Sequence, residues 1–272
     1  MDNKVDYHLH TYYSDGSMSP TDIVKRAKDL EYTEIAITDH EGIDGVKEAQ
    51  IAGKALDIHV ISGIEFSTAY KDQESGEAVN LHILGYRIDI KNKALNAELQ
   101  EIREKRKNRN DKLLTVLKDM GFELAKEDLY FEEDQDYIGK PVIARAMLKR
   151  GYIKDAKEAF EPGKFLESPE AKAVKKDKIS VERAIELIRG AGGTAVLAHP
   201  MKIKKLGERD TEEFYGKLDL LVRKLKVIGL KGMECFHTDH TQEESLKLVE
   251  LAEKYHLHIT EGSDYHGPEF EK

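Results

Sequence analysis

Short apolar runs with a period of two recur along this chain, and run after run ends on a histidine or a carboxylate. Residues 5–10 set the pattern: Val5, Tyr7 and Leu9 fall on one face of an extended segment, Asp6, His8 and His10 on the other. Comparable runs fall at 34–38, 58–65, 81–86, 193–198, 230–236 and 257–264. Helical patterns separate most of them. Ser19 caps one helix, with Pro20 at its first position, and residues 44–56 carry a second. Ser180 caps a third, 211–227 forms a fourth, and Thr241-x-x-Glu244 is the capping box of a fifth. Strands and helices in this alternation indicate βα units around a parallel sheet, which makes the chain α/β.

The alternation breaks once. Residues 92 to about 120 read as one long charged helix, followed by short helical pieces at 126–130, 142–150 and 154–160 and a Lys- and Glu-rich stretch to 178. This divides the chain into a sheet-forming part, residues 1–99 and 179–272, and a small helical insertion over 100–178. A length of 272 residues accommodates one large α/β domain carrying such an insertion.

The candidate chemistry sits at strand ends. His8, His10, Asp15, His40, Glu65, His82, His199, Asp264 and His266 all fall at or just beyond the carboxyl end of a predicted strand. In barrels and open α/β sheets that edge is where βα loops converge and sites assemble. His59, His240, His256 and His258 lack this placement and read as surface or packing residues. Imidazoles mixed with carboxylates in this number suit two or three divalent ions of the Zn, Mn or Fe type better than Mg or Ca, which prefer oxygen. Such a cluster lowers the pKa of bound water and neutralises a phosphoryl oxyanion, so water can be driven onto phosphorus without a protein nucleophile. Nothing in the sequence supplies a nucleophile: Cys235 is mid-strand and no Gly-x-Ser-x-Gly occurs.

Composition limits the partners. A formal charge of −9 argues against long duplex nucleic acid or an anionic membrane, while a small anionic substrate remains compatible with a local cationic centre. No apolar run approaches the roughly 20 residues of a membrane span. A single cysteine fits a reducing cytoplasm. Oligomeric state leaves no mark. On the substrate side, Lys140 and Arg145 flank a helix start at Pro141, a ready phosphate site in which Arg145 can bind bidentately, or else a solvated helix. Arg103, Arg106 and Arg109 recur every third residue, either as a basic track or as a face laced with pairs such as Glu101–Lys105. His237, just past the sixth strand, is placed to contact phosphate or protonate a leaving oxygen, or is a surface histidine.

Taken in order, His8-x-His10-Thr11 with Ser14-Asp15-Gly16, Thr38-Asp39-His40, Gly63-Ile64-Glu65, His82, Ala198-His199-Pro200 and Gly262-Ser263-Asp264-Tyr265-His266 resemble the motifs of the PHP (polymerase and histidinol phosphatase) superfamily. The resemblance implies a distorted (β/α)7 barrel with a trinuclear metal centre. It implies one ion on His8, His10, Glu65 and Asp264, a second on Glu65, His82 and His199, and a third on Asp15, His40 and His266. The stretch from Gly139 to Ala146, with Gly151-Tyr152-Ile153 and Glu158-Ala159-Phe160, is similar to the helical cap of the stand-alone PHP phosphoesterases. Those enzymes remove the 3′-phosphate of 3′,5′-bisphosphonucleosides or trim short 5′-phosphorylated RNA from its 5′ end. Val142 stands where that group usually has histidine, and the segment after Phe160 departs from its usual pattern. The implied function is a phosphoesterase acting on nucleotides or short oligonucleotides, with Asp264 catalytic through its metal. Alternatives are a histidinol-phosphate-type phosphatase of small metabolites and a non-catalytic metal-binding module.

Overall fold

The computed structural model describes residues 4–71, 76, 78–129 and 137–268. In chain order the strands are β1 (Val5–Leu9), β2 (Glu34–Ile37), β3 (His59–Lys71), β4 (Ala78–Tyr86), β5 (Ile179–Ser180), β6 (Thr194–Leu197), β7 (Gly232–His237) and β8 (His258–Gly262). The helices are α1 (Pro20–Asp29), α2 (Asp44–Leu56), α3 (Lys93–Asp119), α4 (Lys140–Lys149), α5 (Pro169–Ala173), α6 (Val181–Gly190), α7 (Glu212–Ile228) and α8 (Gln242–Lys254). The sheet runs β1-β2-β3-β4-β6-β7-β8 and curls until its first and last strands meet, where His10 N donates to Tyr265 O and Tyr265 N to His8 O. The two-residue β5 adds to the side of β3. The result is a nearly closed barrel of the distorted (β/α)7 kind.

Helix starts follow from their caps. Ser19, Ser180, Thr211 and Thr241 each accept a bond from a backbone N–H of the first turn, and Thr241 and Glu244 complete a capping box.

The sheet is not parallel throughout. β4 runs antiparallel to both β3 and β6. A parallel crossover needs about a dozen residues or more, and the link between Lys71 and Ala78 is too short for one, so the chain turns back as a hairpin. Both strands also run beyond the expected 58–65 and 81–86, because Phe66, Thr68 and Tyr70 on β3 and Val79, Leu81 and Ile83 on β4 bury one face continuously. The alternation was there, hidden among polar partners.

Three apolar clusters hold the chain together. The largest lies between the outer strand faces and the helices, with Ile35, Ile37, Ile64 and Phe66 against Val24, Val46, Ile185 and Leu225. A small one, Ala36, Ile61, Leu84, Tyr86, Val196 and Ala198, occupies the strand faces that also carry Glu65 and His82, so it fills the barrel beneath the ligands. The third joins Leu113 and Leu117 of α3 to Ile143 and Met147 of α4, Ala159 and Leu166. α3 therefore serves two cores: Leu95, Leu99 and Ile102 near its start pack with the barrel. The short pieces expected after it are a 3-10 turn at Lys126–Asp128, α4, and a 3-10 turn at Ala156–Phe160, while Tyr130 lies outside the described residues. Among the described residues no helix is long and apolar enough to cross a membrane.

Candidate metal centre

β1 delivers His8 and His10 side by side, both fully buried. The chain then folds back under the strand end, and Gly16 allows it: a Cβ there would stand 2.3 Å from His10 O. Asp39 ties this loop to the end of β2 by accepting from Thr11 N at 2.7 Å, Thr11 Oγ1 at 2.7 Å and Ser14 Oγ at 2.5 Å. Asp15 is thus brought beside His40. Two other candidate ligands sit on strained backbone: His199 at φ 27° and Asp264 at φ 57°, both in the left-handed region that non-glycine residues rarely adopt.

All nine residues converge at one mouth of the barrel, although His82 lies within β4 rather than at its carboxyl end: the antiparallel run of that strand brings it opposite Ser67 and so beside Glu65. Glu65 is central. Its Oε1 lies 3.4 Å from His8 Nε2, 2.9 Å from His82 Nδ1 and 3.2 Å from His199 Nε2. Its Oε2 lies 3.4 Å from His10 Nε2 and 2.9 Å from His40 Nδ1. Asp264 Oδ1 stands 3.4 Å from His8 Nε2 and 3.3 Å from His10 Nε2. Asp15 lies 3.8 Å from His10 Nδ1, 3.7 Å from His40 Nε2 and 3.3 Å from His266 Nε2. Three overlapping sets offer ligand atoms within 4.8 Å of one another: His10, Asp15, His40 and His266; His8, His10, Glu65 and Asp264; and His40, Glu65 and His82.

These donors fit divalent ions for a reason independent of the motif. His8 Nε2, His10 Nε2, His40 Nδ1, Asp15 Oδ1 and Glu65 Oε2 are buried without an aligned hydrogen bond, and their nearest polar neighbours are other members of the set. Buried polar atoms without partners are costly, and a cation shared among them removes that cost. Electrostatics agree. Burial raises the carboxyls of Asp15, Glu65 and Asp264, but the surrounding imidazoles outweigh it and hold all three below the usual range, so they stay ionised. Burial and neighbouring His266 push His10 down to about 3, leaving its lone pair free for a metal. His40 moves the other way, to about 9, because Glu65 and Asp15 outweigh its burial.

A second layer of charge holds the first in place, and the sequence did not single it out. Glu234, wholly buried on β7, lies 3.0 Å from His8 Nδ1 through Oε1 and accepts from His199 N at 2.7 Å through Oε2. It orients the His8 ring and anchors the His199 turn together. Gly262 leaves room for this contact, since a Cβ there would lie 2.4 Å from the His8 Cβ and 2.5 Å from Glu234 Oε1. Lys202 Nζ bridges Asp264 Oδ2 at 2.8 Å and Asp239 Oδ2 at 2.9 Å. Glu41, next to His40 and at φ 45°, accepts from Arg106 Nη2 at 2.9 Å, Lys176 Nζ at 3.0 Å and Ser67 N at 2.9 Å. Arg106 also covers the Tyr137 ring at 3.9 Å, and that ring stacks 6.3 Å from His40. Glu234 could have been found as a carboxylate on the inward face of β7. Arg106 stood out only as one of three arginines at every third position, and its partner Glu41 was not foreseen; Lys176 carried no local signal among so many surface charges.

The substrate-side candidates separate. His237 ends β7 with Nε2 3.8 Å from Asp264 Oδ2, and its Nδ1 accepts from Asp239 N at 2.9 Å, so a neutral ring carries its proton on the Nε2 facing the ligands. Arg145 reaches the mouth, donating to Asp15 O at 3.0 Å and Gly16 O at 3.3 Å. Lys140 does not: its ammonium bonds Leu166 O at 2.9 Å and Glu167 Oε1 at 2.8 Å. The arginines on α3 form no track. Arg103 pairs with Asp44, Arg106 with Glu41, and Arg109 donates to Asn110 Oδ1. His240 packs on His237, and His59 pairs with Glu34 at the start of β2. A cleft of about 470 Å³ opens over the centre, lined by His40, His82, His199, Asp264 and His266, with Asn80, Lys178, Lys202, Ile203, Lys204 and Lys205 around them.

Comparison with known proteins follows the same lines. The chain is 30% identical to a 5′-3′ exoribonuclease of Haemophilus influenzae, over 98% of this chain and 92% of that protein. It is 29% identical to a 3′,5′-nucleoside bisphosphate phosphatase of Chromobacterium violaceum, over 97% of this chain and 87% of the relative. The fold superposes on a Chromobacterium violaceum structure described as an amidohydrolase with bound sulfate and no metal, with a TM-score of 0.84 and 28% identity over 97% of this chain and 88% of that one. Residues 6–159 match the PHP domain, and the chain belongs to that family.

Proposed function

We propose that the chain is a metal-dependent phosphoesterase that hydrolyses phosphate esters of nucleotides or short oligonucleotides at this mouth. One observation carries the reading: nine inward-facing imidazoles and carboxylates meet at one mouth of the barrel, and five of them line a cleft edged by lysines. Two or three Mn, Zn or Fe ions suit the set. His8, His10, Glu65 and Asp264 would hold one, Glu65 with His82 and His199 a second, and Asp15, His40 and His266 a third. When bound, such ions supply Lewis acidity toward a phosphoryl group and acidify water.

The chain's own residues do the rest. Glu234 fixes the His8 ring. Arg145 clamps the loop that carries Asp15. His237 holds a proton on Nε2 beside Asp264, placed for a leaving oxygen. We read residues 100–178 as a cap: its residues Arg106, Tyr137, Arg145 and Lys176 reach the ligand-bearing loops. The exoribonuclease and bisphosphate phosphatase relatives, with the full ligand set, favour this over a small-metabolite phosphatase or a non-catalytic module. The lone cysteine, buried and free, suits a cytoplasmic enzyme.

A phosphate-release screen with added Mn tests the reading, comparing adenosine 3′,5′-bisphosphate, a 5′-phosphorylated dinucleotide and histidinol phosphate. Release from either nucleotide is expected. Preference for histidinol phosphate would favour the metabolite phosphatase, and no release from a metal-loaded protein would favour the binding module.

A further inference from the structure

Four lysines line the cleft over the centre, and three have evident engagements or full exposure. Lys202 bridges Asp264 and Asp239, Lys205 donates to Ala78 O, and Lys204 is exposed. Lys178 differs. It is partly buried and makes no hydrogen bond or ion pair among the described residues.

Its position is set by strand register. β5 joins β3 with Ile179 opposite Thr68 and Ser180 opposite Ala69, so the residue before, Lys178, comes alongside Ser67. Ser67 in turn stands opposite His82 of β4. Lys178, Ser67 and His82 therefore form a row across three strands, and two strand spacings, about 10 Å, separate the backbone of Lys178 from that of the ligand. Lys176, two residues earlier, is held by Glu41 and Ser67 Oγ. An ammonium at Lys178 is within reach of the cleft but set back from its metal-binding floor.

We propose that Lys178 recognises a second phosphate of the substrate, one nucleotide unit away from the phosphate at the metal centre. The assignment rests on the phosphoesterase reading. A phosphate on the floor has its charge balanced there, so the partnerless cation on the rim meets charge further out. Burial and the nearby charge of Lys176 push the Lys178 ammonium down to about 8, a cost that an anion in the cleft removes. The shared chemistry is a phosphate anion, whether the 5′-phosphate of a bisphosphonucleoside or the next phosphodiester of a short RNA.

Binding is measured first, with probes that cannot be hydrolysed. Pentane-1,5-bisphosphonate places as many atoms between its phosphorus atoms as lie between the 3′- and 5′-phosphates of a nucleotide, and pentylphosphonate lacks the second group. In calorimetric titrations of the metal-loaded protein, Lys178→Ala should weaken the bisphosphonate about tenfold and leave the monophosphonate within about twofold, with Lys178→Arg restoring most of the loss. Equal losses on both probes, or none on either, would overturn the assignment. Turnover is measured next. Wild-type protein that discriminates the probes through Lys178 but releases phosphate from no nucleotide would sink the hydrolase reading alone. Phosphate release with discrimination unchanged in Lys178→Ala would sink the lysine assignment alone. Adenosine 3′,5′-bisphosphate and a 5′-phosphorylated dinucleotide, compared in the same variants, show which source of the second phosphate the residue serves.

Discussion

At the scale of single residues, the candidate ligands stood out in the sequence because their placement is periodic. A histidine or carboxylate at the end of one alternating run means little, but its recurrence at strand ends cannot be spread evenly over a fold. Glu234 escaped because it lies inside its strand, where a sequence shows only a polar residue in an apolar run. The structure gives it a distinct role from Asp264, and substitution should separate them. Asp264→Asn keeps size but weakens a ligand atom shared by His8 and His10, and phosphate release should fall more than about a hundredfold with the fold intact. Glu234→Gln leaves every candidate ligand in place and frees the His8 ring, so the loss should be about ten- to hundredfold and appear in metal affinity. Circular dichroism, metal titration and kinetics on the same preparations read all three quantities. Metal affinity unchanged in Glu234→Gln would show that His8 is held by something else.

At the scale of elements, the helices were read nearly to the residue because capping chemistry is local. The antiparallel β4 was not, since strand direction depends on how far a connection can reach. The cap's attachment was harder still. Arg106 and Lys176 lie 70 positions apart and meet only at Glu41. Burial alone would raise the Glu41 carboxyl, but Lys176 and Arg106 outweigh it and hold it at about 2, down from 4.5. A carboxyl depressed on folding contributes stability that is present above its unfolded value and lost as pH falls through its folded value. Glu41→Gln leaves a buried arginine and a half-buried lysine without their counter-charge, and should cost about 2–3 kcal/mol near neutrality, discounted for the exposure of Lys176. In urea denaturation the gap between wild type and variant should narrow as pH falls from 4.5 towards 2. A gap constant over that range would mean that the ion pairs do not set the stability of this joint.

At the scale of the whole molecule, a net charge of −9 surrounds the cleft that we propose takes an anion. The barrel gathers imidazoles and lysines at one mouth, where they face the carboxylates of Asp15, Glu65 and Asp264 and offset their charge. Fold class and the candidate ligand set follow from strand-end chemistry that the chain repeats. The substrate-side candidates do not, because they depend on how residues 100–178 pack: Lys140 turned to Glu167, and Lys178 came into the cleft through a two-residue strand with no pattern to announce it. We propose that the nine side chains form one metal centre that hydrolyses phosphate esters. The most direct test is phosphate release from adenosine 3′,5′-bisphosphate by one preparation, followed as purified, after chelation and dialysis, and after Mn is restored. Release should disappear with the metal and return with it, while the protein stays folded throughout. Undiminished release from folded protein shown by elemental analysis to be free of metal would contradict the proposal.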